Sequence, residues 1–223
     1  MIRCYFVSGE WSSEPFAAKS ILRIVARTVG RMQQLADADL MMLVKEGDYA
    51  AFDELYNRYR PPILRFLFAL TWDRDTAEDY LQEVFLRLFR ARDRYAPTGK
   101  FSTYLFQIAK NYYLAQARKK RARPEELSLA HEDTKGFRPF ENLRVNERIE
   151  PEVHLLEEYR KLGIRRAIAS LPEGQRLVFV MSHFEDMRYA EIAEVLGIAV
   201  GTVKSRMFAA VNTLRTLLKE ERP

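Results

Sequence analysis

At 223 residues, with 48% hydrophobic and 30% charged residues, the chain has room for one or two ordinary globular domains. A single cysteine, Cys4, excludes an intrachain disulfide, and His131, His154 and His183 fall into no zinc-ligand spacing, so neither a metal nor another cofactor is expected. No apolar run is long enough to span a bilayer, and Arg23 and Arg27 interrupt the one stretch that could serve as a signal-peptide core. The expected compartment is the cytoplasm, with no membrane insertion.

Residues 1–36 carry little pattern beyond a basic amphipathic stretch from Ala17 to Leu35, with Ile21, Ile24, Val25 and Val29 on one face. They read as a loosely docked extension, disordered or a single helix. Met32, just ahead of the strongly patterned region, is a candidate start of translation, which the intact mass of the natively expressed protein decides. From Asp37 the pattern turns helical. Asp39 is the expected N-cap of LMMLVKEG, with Gly47 as its stop. Ala50 to Arg60 places Phe52, Leu55, Tyr56 and Tyr59 on one face, and Pro61-Pro62 is expected to break that helix before ILRFLFAL. After a turn at Thr71 to Asp75, the residues from Asp75 to Arg92 predict a long helix with Leu81, Val84, Phe85 and Leu88 buried. On its other side Asp75, Asp79 and Glu83 line up at four-residue spacing, with Arg87 completing an i,i+4 pair. Such a stripe is either a solvated face or a dock for a basic partner.

The loop from Arg94 to Lys100 contains Thr-Gly-Lys, but the first glycine of a phosphate loop would fall on Arg94, which excludes that motif. From Lys100 to Arg123 there are seven cations, no acid and five aromatics. Cations that follow phosphates, interleaved with rings that can stack on bases, suit single-stranded nucleic acid. The same stretch must also form core, because Phe101, Leu105, Ile108, Ala109 and Tyr112 recur at helical spacing. The charge then reverses: residues 124–159 hold ten acids and four bases. With Pro124, Gly136, Pro139 and Pro151, residues 124–151 read as a flexible acidic linker. The expected organisation is all-α: an extension (1–36), a helical domain (37–123), the linker, and a second helical domain (152–223).

That second domain holds the most specific pattern, YAEIAEVLGIAVGTVKSRMFAAVNTLRTLL from Tyr189 to Leu218. Ile192, Ala193 and Leu196 face inward on one helix that ends at Gly197; Val203, Met207, Ala210 and Leu214 face inward on the next. A small residue at a helix crossing, a glycine at the turn and an apolar anchor ten residues on make a helix-turn-helix. Thr202 is placed to cap the second helix and bond a phosphate, Lys204 to hold backbone phosphate, and Ser205 and Arg206 to reach base edges, with Phe208 beside them. The H-E-x-x-H motif, the phosphate loop and the nucleophile elbow are all missing from the sequence, so the chain is not expected to be an enzyme. The residues alone leave one rival open, a two-domain helix-turn-helix transcription regulator that acts without binding polymerase core.

Three segments together resemble the extracytoplasmic-function (ECF) sigma factors of bacterial RNA polymerase: AEDYLQEVFLRLF, FSTYLFQIAKN, and LPEGQRLVFVMSHFEDMRYAEIAEVLGIAVGTVKSR. The resemblance covers Asp39 to Leu218 and implies three partners: core polymerase, promoter DNA and an anti-sigma factor. It implies that Asp79, Gln82, Glu83 and Arg87 bind the clamp helices of the largest polymerase subunit. It further implies that Thr98, Lys100, Phe101, Tyr104, Lys110, Asn111, Arg118 and Lys119 hold the melted promoter strand. Thr202, Lys204, Ser205, Arg206 and Phe208 would then read the distal element as duplex. Departures from the usual pattern are Tyr104 in place of Trp, Ala209 and Val211 in place of Arg, and Arg188 in place of Ser, which implies a weaker or differently specific distal contact.

Overall fold

The computed structural model describes residues 32–122 and 163–220. All regular structure among them is helical. The expected extension over residues 1–31, the linker and the first turns of the second domain lie outside the described residues, and so does any test of Met32 as a start.

The chain divides into two compact units, Met1–Tyr56 and Asn57–Pro223. In the described part of the first, α1 spans Asp37–Lys45. Ala36, not Asp39, is its N-cap; Asp37 and Asp39 sit in the first turn, where they complement the helix dipole. Gly47 (φ 95°) turns the chain in the left-handed region, as expected of a helix stop. Asp48 then caps α2, its Oδ1 accepting from the backbone N–H of Ala50 at 2.8 Å and of Ala51 at 3.2 Å.

Helix α2 (Tyr49–Thr71) passes straight through Pro61 and Pro62, which were expected to break it. Each proline removes one i→i−4 bond, but Pro61 is exposed and Pro62 half-buried, so water can reach this side of the helix. Leu55, Ile63, Phe66 and Leu67 on the opposite side are fully buried and hold the two halves in line. Burial of each such side chain contributes about 1.5–3 kcal/mol, enough to offset a lost backbone bond.

Within the Asn57–Pro223 unit, Thr71 Oγ1 bonds Leu67 O at 3.0 Å as α2 ends, and Trp72 turns the chain at φ 53°. Helix α3 (Arg74–Arg90) starts on Asp73, whose Oδ1 accepts from Thr76 N–H at 2.6 Å. It starts one residue earlier and ends two residues earlier than the periodicity predicts, because Arg92–Arg94 tightens into a 3₁₀ turn. Its predicted stripe of Leu81, Val84, Phe85 and Leu88 is buried. Helix α4 (Phe101–Ala122) packs on α3, and the ring of Phe106 meets that of Phe66 edge-on, 5.4 Å between centroids.

The later helices of the same unit are α5 (helical from 163 to 170), α6 (Glu173–His183), α7 (Tyr189–Leu196) and α8 (Val200–Glu220). Pro172 stands at the N-cap of α6. Glu191 accepts the Arg188 N–H at 3.0 Å and so covers the start of α7. Gly197 (φ 67°) makes the turn into α8, as the motif requires. Ile192, Ala193, Val203, Ala210 and Leu214 are buried as expected. Val195 takes the buried place expected of Leu196, and Leu196 and Met207 are half-buried. No described helix is long and apolar enough to cross a membrane.

Candidate functional site

The predicted acidic stripe lies on one side of α3. Asp75, Asp79 and Gln82 are exposed, and Glu83 is partly so. Arg87 Nε donates to Glu83 Oε1 at 2.8 Å, and Arg90 Nη1 is 3.9 Å from the same oxygen. Arg87 also lies over the Tyr112 ring at 4.6 Å, so its guanidinium braces α3 against α4 as well as facing solvent. Leu86, 49% exposed, sits amid these polar groups. The sequence reading passed over it, although a leucine that falls outside the stripe of Leu81, Val84, Phe85 and Leu88 is the signal that could have found it. The face therefore offers acids, an amide and one apolar side chain, the mixture a protein partner's interface uses.

The aromatic residues of α4 divide by depth. Phe101 is 4% exposed, its ring packed at 5.2 Å from that of Tyr59 and 6.2 Å from that of Tyr95. In this arrangement it serves as core, and no base can stack on it. Tyr104 is half-buried against Tyr95 at 5.5 Å, and burial raises its hydroxyl pKa above the ordinary tyrosine value. Thr98, Lys100, Asn111, Arg118 and Lys119 are exposed, with Arg118 Nε donating to Leu114 O at 3.3 Å.

Helix α4 also packs on α7. Lys100 Nζ lies 2.5 Å from Glu191 Oε1, and Lys110 Nζ donates to Val195 O at 2.9 Å. Gln107 Nε2 donates to Glu194 O at 3.0 Å, while Thr103, 7% exposed, has its hydroxyl 3.5 Å from Glu194 Oε2. Desolvation pulls Lys110 below the ordinary lysine pKa. The Lys100 hydrogen bond lowers Glu191, helped by the Arg188 N–H. Gln107, Glu191 and Glu194 are absent from the residues that sequence reasoning singled out, because a seam between segments 85–91 residues apart leaves no local signature.

On α8, Lys204 and Ser205 are exposed, and Ser205 Oγ donates to Thr202 O at 3.0 Å. Thr202 lies inside the first turn, two residues past the helix start, so it is not the cap the sequence suggested. Arg206 is half-buried, its guanidinium lying against Gly174. A Cβ at Gly174 would stand 3.1 Å from Arg206 Cζ, so the glycine permits the close approach. Phe208, 71% exposed, is the most exposed large apolar side chain among the described residues, and Val211 beside it is 38% exposed. Among the described residues no three His, Cys, Asp or Glu side chains cluster as a metal site would require.

Comparison with known proteins identifies the family and the fold. Residues 55–123 match Sigma-70 region 2, and residues 161–214 match Sigma-70 region 4. The chain is 32% identical to the RNA polymerase sigma-H factor of Pseudomonas aeruginosa, over 85% of this chain and 99% of that protein. It is 32% identical to the ECF sigma-E factor of Escherichia coli K12, covering 80% of this chain and 92% of that protein. The ECF sigma factor SigW of Bacillus subtilis is 31% identical, over 79% of this chain and 94% of SigW. Two solved structures share the fold. CnrH, in complex with the cytosolic domain of CnrY, superposes with a TM-score of 0.62 at 23% identity, over 84% of this chain and all of CnrH. The sigma factor RpoE of Bartonella quintana, in complex with the anti-sigma factor NepR, gives 0.58 at 22% identity, over 77% of this chain and 98% of RpoE.

Proposed function

This chain belongs to the ECF sigma factors of bacterial RNA polymerase, and on that footing we propose which of its faces carry the work of transcription initiation. The exposed side of α3 docks on core polymerase through Asp79, Gln82, Glu83 and Arg87, with Leu86 as the apolar contact at its middle. The observation that carries this reading is the coincidence of three acids and an amide with an exposed leucine on one helix face. Carboxylates on such a rim steer and register a basic partner, while the leucine gains by leaving water.

Helix α4 holds the opened promoter strand. Lys100, Lys110, Arg118 and Lys119 neutralise phosphates, Thr98 and Asn111 bond the backbone, and Tyr104 supplies the stacking face, with Phe101 beneath it as support. Extruding a base costs a few kcal/mol, and one aromatic stack returns ~1–3 kcal/mol. Helix α8 reads duplex through Ser205 and Arg206, with Thr202 and Lys204 on phosphates and Phe208 against an apolar base edge such as a thymine methyl. Each base pair so read is worth ~1–3 kcal/mol. Neither module suffices alone, and binding both to the polymerase at a fixed span supplies the difference.

The chain works in the cytoplasm, and an anti-sigma factor holds it when it is not in use. Support for the latter comes from the fold shared with CnrH and with Bartonella RpoE, both solved with a bound partner. The test is run-off transcription with core polymerase, wild type beside Glu83→Lys. Loss of at least about tenfold in the variant, or about 1.4 kcal/mol of docking energy, is expected. Full activity in the variant would overturn the docking assignment, and specific promoter binding independent of polymerase would favour a self-sufficient helix-turn-helix regulator.

A further inference from the structure

Gly174 sits in the first turn of α6 with an ordinary helical backbone; the left-handed glycines among the described residues are Gly47 and Gly197. Conformation therefore does not call for glycine at 174, and alanine would if anything favour the helix. Space does call for it. Helix α6 packs on α8, and a Cβ at Gly174 would stand 3.1 Å from Arg206 Cζ, 3.1 Å from Nη1 and 3.4 Å from Nε. Three atoms of one planar group at nearly equal distance mean that the guanidinium lies face-on to the glycine. Its in-plane N–H groups are left over, since Arg206 makes no hydrogen bond or ion pair among the described residues. Glu173, the acid next to Gly174, bonds Arg121 at 2.7 Å instead.

We propose that Gly174 is a positioning residue for base readout: it gives the Arg206 guanidinium a flat backbone surface that fixes the tilt of its plane, so that the N–H edge reaches the major groove already aligned. The proposal rests on reading Arg206 as a base contact of α8. Arginine clamps guanine O6 and N7 through two in-plane donors, a geometry that tolerates little rotation of the plane. A long side chain gives up rotamer freedom when a partner holds it, and a guanidinium already stacked gives up less at the moment of binding. Packing through the face does this without consuming the donors. A β-carbon at 174 would push the group off its surface by a few tenths of an ångström, tilting the plane without removing the charge. The loss should therefore fall on discrimination at one base pair and spare phosphate affinity, which follows charge.

The test assembles the full chain with core polymerase and offers it a pool of duplex DNA randomised over one helical turn, the retained sequences being read out. Wild type should enrich one guanine–cytosine pair, and Arg206→Ala should lose that preference. Gly174→Ala should weaken enrichment at the same position about threefold and Gly174→Leu about tenfold, with the other positions as in wild type. Thermal unfolding of the free Gly174→Ala chain should match or exceed wild type, which separates positioning from a fold defect. In an Arg206→Ala background, Gly174→Ala should change nothing further. Preference lost in Arg206→Ala but intact in both glycine variants overturns the positioning role alone, and so does a loss spread evenly over all positions. If Arg206→Ala leaves every position unchanged, the reading of Arg206 as a base contact fails and the proposal falls with it.

Discussion

Helices α3 and α4 pack side by side, yet their charged faces are available to very different degrees. On α3, Asp75, Asp79 and Gln82 stand in solvent, while Glu83 has its charge spent on Arg87 and Arg90, and Glu78 on Arg74, all of the same helix. By contrast Lys100, just ahead of α4, and Lys110 on it bond to α7, a helix 85–91 residues further along the chain. On the proposed reading, the acids of α3 are open to a polymerase in the isolated chain, whereas two of the cations assigned to the promoter strand already have acceptors on α7.

That contrast can be broken most severely from beneath. Phe66 is fully buried and touches the Phe106 ring of α4, so Phe66→Ala should cost ~3–5 kcal/mol in urea unfolding and remove both faces together. A cost below about 1 kcal/mol would mean that α2 is not the floor on which α4 rests.

A smaller effect sharpens the contrast through pH. Glu185, at one end of the covered seam, has a side chain 2% exposed, and desolvation lifts its pKa to about 7, against the opposing pull of Arg65 at 2.9 Å. Its Oε1 has no hydrogen-bond partner, as suits a carboxyl that is easily protonated. Asp186, the other charge nearby, pushes in the same direction as burial. Because the folded pKa lies above the ordinary 4.5, the folded chain holds the extra proton between 4.5 and about 7. Stability therefore falls as pH rises through that window, by at most ~3 kcal/mol, and levels off above it. Urea unfolding at pH 5 and pH 8 should show this loss in wild type and a much smaller one in Glu185→Gln. Equal pH dependence in the two would remove Glu185 from the seam's energetics.

The smallest effect belongs to the open helix. Arg74 pairs with Glu78 at 2.9 Å on the exposed side of α3. Arg74→Ala should change unfolding free energy by only ~0.3 kcal/mol. A loss above about 1 kcal/mol in the same titration would show that α3's surface is less free than its exposure implies.

What could be read from the sequence follows the range of the forces involved. The buried stripe of α3, the stop at Gly47, the turn at Gly197 and the inward residues Ile192, Val203 and Ala210 are set by neighbours within a few turns, and all stand where the pattern put them. Pro61-Pro62 misled because a local penalty was outweighed by burial of Leu55, Ile63, Phe66 and Leu67 on the far side of the helix. Phe101 carries both roles in its pattern, and only packing against Tyr59 and Tyr95 shows that it lies in the core. Arg206 looked free until Gly174, thirty-two positions earlier, gave its guanidinium a surface to lie on. The seam between α4 and α7 was the least legible feature, since each of its bonds joins residues whose sequence distance carries no periodicity.

The most direct trial of a reader that depends on its polymerase is binding to duplex promoter DNA, compared with a scrambled duplex, with and without core enzyme. The free chain should prefer promoter over scrambled DNA by no more than about threefold, and addition of core polymerase should raise that preference to ~10³ or more. Tight and selective promoter binding by the free chain, unchanged by core polymerase, would contradict it.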